Sequence, residues 1–197
     1  MTDLSTDTES PELTHIVDGR EVPAAGTYHL DPSHTTVDFV ARHLMVTKVR
    51  GTFPAVTGRI VVGEDPTASH LEVDVEVASV TTRDDKRDEH LRSADFFDTE
   101  KFPTMRFVAD RAVPDGDNWV VEGDLTIKAT TRPVRLAVEF LGAIRDPWGG
   151  SRLGFSASTE VNREDFGLGW NVALEAGGVV VSKTARIEIE SELVKEA

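Results

Sequence analysis

Leu71-Glu72-Val73-Asp74-Val75-Glu76-Val77 places four apolar residues and three acids in strict alternation. Successive side chains of an extended chain point to opposite faces, so this run reads as a strand with one dry face and one wet face. The same period of two recurs on both sides of it. It is found at Val37/Phe39/Ala41, Met105/Phe107/Ala109, Val121/Gly123/Leu125/Ile127 and Val134/Leu136/Val138/Phe140. It continues at Leu153/Phe155/Ala157/Thr159/Val161 and Ala185/Ile187/Ile189. With Thr27 to Leu30 and Thr52 to Val62 added, the pattern predicts about eight or nine strands. Short turn signals separate them, among them Asp31-Pro32-Ser33, Gly63-Glu64-Asp65-Pro66, Pro114 to Asn118 and Asp146 to Gly150. Many alternating strands with short turns indicate an all-β antiparallel sandwich or barrel.

Two segments break the rhythm. Asp84 to Ala94 is too charged for a strand and is composed of fair helix formers, with Thr82 and Asp84 as candidate caps. Its dry stripe is only Leu91 and Ala94, followed by Phe96 and Phe97, which suits a lid over an opening better than a core helix. Arg163 to Phe166 reads as a single helical turn ended by Gly167. Residues 1–25 are rich in Ser, Thr, Asp, Glu and Pro and read as a disordered acidic tail. Within that tail only Ile16-Val17 and Val22 are β-prone enough for a short edge piece. Residues 26–194 form one domain.

Composition narrows the function classes. The chain of 197 residues has a formal charge of −14 and no cysteine. Disulfides, thiolate metal sites and cysteine nucleophiles are excluded. Nucleic-acid binding is not expected, because its affinity comes from cations set against phosphate. No apolar run is long enough for a spanning helix, so stable membrane insertion is not expected either. Met1 to Glu12 has acids where a secretion signal has a basic region, which points to a cytoplasmic location.

Several stretches together resemble the YceI family, a bacterial group of lipocalin-like barrels that bind polyisoprenoid lipids. They are Asp31 to Thr35, Val40 to Met45, Lys48 to Phe53, Arg87 to Phe97, Phe102 to Phe107, Gly123 to Lys128, Thr131 to Val134 and Asn162 to Gly167, in the family's order. Many members carry a secretion signal where this chain has its acidic tail. The resemblance implies an eight-stranded lipocalin-like β-barrel with the short charged helix near one opening. It also implies a long-chain isoprenoid lipid, of polyprenyl or quinone type, as ligand, with no cofactor and no catalysis.

The dry wall of such a barrel is expected from Phe39, Leu71, Val73, Val75, Met105, Phe107, Leu125, Ile127, Leu136, Val138, Phe140 and Phe155. Leu91, Phe96 and Phe97 are expected to close it. Arg87 and Arg92 fall beside the mouth, where they pair with Asp88, Asp95 or Asp165, or else meet a ligand head group. Gly51, Gly58 and Gly123 read as points that relieve strand bending. Large interior positions alternate with small ones such as Ala41, Ala109, Ala157 and Gly123, which leaves a packed core and a hollow both open. Six histidines occur without metal-ligand spacing, and no nucleophile elbow is present. Two rival readings follow: an enzyme using His34 or His43 beside a carboxylate, and a packed barrel acting through its surface, as a homodimer or in a stress response.

Overall fold

The computed structural model describes residues 13–44, 46–173 and 179–196. The chain opens with a hairpin of β1 (Thr14–Val17) and β2 (Arg20–Pro23). The main sheet follows as β3 (Gly26–Leu30), β4 (Thr36–His43), β5 (Thr47–Phe53), β6 (Val56–Val62), β7 (His70–Glu76) and β8 (Thr104–Asp115). It ends with β9 (Asn118–Ile127), β10 (Thr130–Arg145), β11 (Ser151–Asn162) and β12 (Val181–Lys195). One α-helix, α1 (Asp85–Arg92), lies between β7 and β8.

The sheet closes on itself. β3 and β4 lie end to end along one edge of β12, with Leu193 opposite Leu30 and Glu190 opposite Thr36, while β11 pairs with the other edge. β5 and β6 lie end to end alongside them, broken at Pro54-Ala55. From β6 the chain meanders through β7, β8, β9, β10 and β11 with every pair antiparallel. Counting each end-to-end pair as one stave gives the expected eight-stranded barrel, in which closure removes the exposed sheet edges.

The deciding run folds as its alternation requires. Leu71, Val73 and Val75 pair with Ala109, Phe107 and Met105 on the inner face. Glu72 and Asp74 face outward, where Arg106 donates to both at 2.6 and 3.1 Å. A charged outer face over a dry inner one is the reverse of a membrane-spanning barrel. No described helix is long and apolar enough to cross a membrane. Val77 leaves the strand for a single helical turn, Val77–Ser79, yet it remains buried.

Both predicted interruptions are present. Asp84 caps α1 by accepting the Arg87 amide at 3.1 Å, and acids occupy its first turn with His90 and Arg92 in its last. Arg163–Phe166 is a short 3₁₀ turn that ends at Gly167, whose φ of 76° is the left-handed conformation glycine adopts freely.

Part of the tail expected over residues 1–25 is folded. Residues 1–12 lie outside the described residues. Residues 14–23 form the β1–β2 hairpin, a separate two-stranded sheet turning at Asp18 and Gly19 with φ of 49° and 77°. Positive φ at both central residues fits the tight turns whose twist matches that of the paired strands. Arg20 ties this hairpin to the β8–β9 turn by donating to the Gly116 carbonyl at 2.8 Å, and Val22 is buried.

Candidate functional site

The inner faces do not meet across the axis. They enclose a cavity of about 350 Å³ that runs from one end of the barrel to the other, within the range of small-molecule sites. All twelve wall residues named from the sequence line it, as do Leu91, Phe96 and Phe97. Its surface is almost wholly apolar.

Three glycines explain why the lumen stays open. A β-carbon at Gly51 would meet the Phe39 ring at 2.3 Å, one at Gly58 would meet Leu30 Cδ1 at 2.7 Å, and one at Gly123 would meet Phe107 Cζ at 2.7 Å. Gly51 and Gly58 are thus seats for a neighbouring large side chain rather than relief for strand bending, whereas Gly123 pairs with Ala109 beside a register shift of β8 and β9, which fits the bending reading.

One end is closed beneath α1. Leu91, Phe96 and Phe97 cover it together with Leu168, and Phe97 meets Phe53 edge-on with ring centres 5.7 Å apart. His90 stacks edge-on against both Phe96 and Trp170, at 5.0 and 4.7 Å, so α1 is joined to the segment after the 3₁₀ turn. Lys128 Nζ donates to the Phe96 carbonyl at 2.9 Å. The opposite end is bordered by residues expected in the tail: Val22 and Pro23 line the cavity there, with Pro66 and Trp119. The Asp18-Gly19 pair between β-prone residues was the signal for this hairpin.

Arg87 and Arg92 depart from expectation. Neither lines the cavity, and neither forms an ion pair with Asp88, Asp95 or Asp165, although the Arg92 charge helps to lower the Asp88 carboxyl. Arg87 donates to the Thr82 hydroxyl at 2.7 Å and its carbonyl at 3.0 Å. Arg92 donates to the carbonyls of Ala78 at 2.8 Å and Val80 at 2.6 Å. The helix is thus clamped onto the chain leaving β7, because main-chain acceptors freed at the strand end lie nearer than any carboxylate. Asp88, 5% exposed, completes the clamp by accepting the Thr82 amide at 2.7 Å and hydroxyl at 2.5 Å.

Arg163 is a further cation at this end and does line the cavity, though it is 5% exposed. It donates to the carbonyls of Ser182 at 2.9 Å and Trp170 at 3.0 Å, and also to that of Leu168. Burial pushes its guanidinium below the usual arginine range, against the pull of Glu164. Its donors are committed to fastening the Leu168–Trp170 segment to the start of β12.

The histidines of the rival enzyme reading lie elsewhere. His43 is exposed at the end of β4. His34 Nδ1 sits 2.9 Å from Asp31, and Asp31, His34 and Glu192 present ligand atoms within 4.8 Å of one another. That cluster already holds a cation. Arg152 donates to Asp31 at 2.6 Å, Glu192 at 3.0 Å and Asp146 at 3.0 Å. The Arg152 bond, followed by His34 and the Ser33 amide, holds the Asp31 carboxyl far below the usual carboxylate range. An ion-pair network on the wall accounts for the group without a metal.

Residues 28–193 match the family described as YceI-like domain. A UPF0312 protein of Pseudomonas putida is 36% identical over 176 residues, covering 87% of this chain and 88% of that protein. The crystal structure of BcnA from Burkholderia cenocepacia is similar with a TM-score of 0.72 at 19% identity, over 83% of this chain and 98% of that one. A polyisoprenoid binding domain from Saccharophagus degradans, implicated in plant cell wall breakdown, gives a TM-score of 0.63 at 16% identity, over 86% and 98%. At such identities the two structures speak to the fold alone.

Proposed function

The chain belongs to the YceI-like domain family, and on that footing we propose that it binds the long tail of an isoprenoid lipid, of polyprenyl or quinone type, along its barrel axis. The observation that carries this reading is the continuous apolar cavity, lined from Val22 and Trp119 at one end to Leu91 and Phe97 at the other. A dry tube needs no catalytic group to hold such a tail. Each methylene moved out of water contributes about 0.8 kcal/mol, so ten carbons give roughly 8 kcal/mol before ordering costs. The Saccharophagus degradans domain of the same fold is described as polyisoprenoid binding, so the fold itself is compatible with this ligand class. Sequestration or transport follows from binding that is non-covalent. The enzyme reading draws no support from the lining, which contains neither His34 nor His43.

The test is a titration with geraniol, farnesol, geranylgeraniol and solanesol, followed through the fluorescence of Trp119 in a variant retaining no other tryptophan. Affinity is expected to climb with each added isoprene unit until the tube is full, then level off. Affinity independent of chain length, or no binding, would overturn the proposal.

A further inference from the structure

Among the described residues, one fully buried hydroxyl has no partner. Thr35 is 4% exposed, its Oγ1 makes no hydrogen bond, and it lines the cavity. An unsatisfied buried hydroxyl is costly, and native folds rarely keep one without use. Thr35 lies one step beyond the Thr36–Glu190 pair of β4 and β12. The same step brings Ser191 onto the inner face, where it stands opposite Phe155 and also lines the cavity. Its hydroxyl makes no hydrogen bond among the described residues. Two uncommitted hydroxyls therefore share one level of a mostly apolar tube, whose other polar lining residues are Asp38, Ser69, Arg106, Thr159 and Arg163.

We propose that Thr35 and Ser191 form a seat for a single neutral oxygen, a hydroxyl or carbonyl, carried by the apolar ligand. The inference rests on the lipid-binding reading and adds to it where the polar atom sits and what charge it bears. A phosphate or carboxylate is disfavoured at this level, because a desolvated anion needs a cation. The two arginines of the lining are occupied elsewhere: Arg106 pairs with Glu72 and Asp74 on the outer face, and Arg163 is held by carbonyls near α1. The tail then runs toward α1, past Val37, Phe39 and Ala41, along about 20 Å of strand.

Phytol and phytane, which share a carbon skeleton and differ by one hydroxyl and the double bond beside it, separate the two claims. Phytane binding reports the dry tube, and the preference for phytol reports the seat. The intact protein is expected to bind phytol about five- to tenfold more tightly. Thr35→Val with Ser191→Ala is expected to abolish that preference by weakening phytol, while phytane is held at least as tightly by the more apolar wall. Thr35→Val without ligand is expected to melt no lower than the parent, since an orphan hydroxyl has been removed. A preference that survives both substitutions overturns the seat, as does equal binding of the two ligands by the intact protein, the result expected if a water already satisfies Thr35. Failure of the intact protein to bind either ligand overturns the lipid-binding reading itself, and the seat with it.

Discussion

Gly51 faces Phe39 across the β4–β5 pair so closely that a β-carbon on Gly51 would stand 2.3 Å from the aromatic ring. The clash is with the ring edge, which can swing, more than with backbone. The direction left for it is the lumen. Gly51→Ala is therefore expected to keep the fold, changing the melting temperature by only a few degrees, while narrowing the tube. Its affinity for geranylgeraniol should fall about tenfold by the titration described above, which is the loss of a little over 1 kcal/mol of apolar contact. Unchanged affinity in a folded variant would mean that Phe39 does not border the ligand.

Gly123 is a contrasting case. A β-carbon there would meet the Val108 carbonyl oxygen at 2.5 Å and Ala109 Cβ at 2.6 Å, neither of which can move independently of the sheet. Gly123→Ala is expected to cost stability first, about 1–3 kcal/mol of overpacking. Thermal unfolding should show a drop of several degrees at this chain length.

The clamp between Thr82 and Asp88 carries a pH signature. Burial pushes the Asp88 carboxyl up, but the Thr82 hydroxyl and amide, helped by Thr81 and Arg92, hold it below the usual carboxylate range. A carboxyl with a lowered folded value stabilises the fold above its unfolded value, about 4, and that contribution fades as pH falls through the folded one. Asp88→Asn is expected to lose about 1–3 kcal/mol near neutrality. The gap in melting temperature between parent and variant should shrink below about pH 4. A gap that widens on acidification would contradict the assignment.

Arg163 tests whether geometry or charge fastens the end of the tube. Its planar group reaches separate carbonyls of Ser182, Leu168 and Trp170. A lysine ammonium cannot span them. Arg163→Lys is expected to destabilise by about 2–4 kcal/mol, close to the effect of Arg163→Met, with faster amide exchange in residues 168–171. Rescue by lysine would show that a positive charge alone is sufficient.

Much of the fold was legible because a dry inner face and a wet outer face leave a period-two trace in every stave, as in Leu71 to Glu76. Helix α1 and the turn at Arg163 announced themselves by charge and by a terminal glycine. The wall residues followed from the same alternation. What the linear pattern could not contain was register. Only the pairing of Phe39 with Gly51 shows that a ring lies along the wall, and so that the axis is empty. The partners of Arg87 and Arg92 were hidden for a related reason: main-chain carbonyls carry no sequence signal, whereas neighbouring acids do. Thr35 falls within the family-like stretch Asp31 to Thr35, and its isolation appears only once β12 lies beside it. The β1–β2 hairpin is different, since its Asp-Gly turn was present and outweighed by the acidic composition around it.

Organic extraction and mass spectrometry of the protein, purified from its own cells without detergent, bears most directly on the apolar tube. A long-chain isoprenoid bound at about one per chain, released by solvent and retaken by the stripped protein, is the predicted result. Protein that carries no lipid and takes up none when offered would contradict the account.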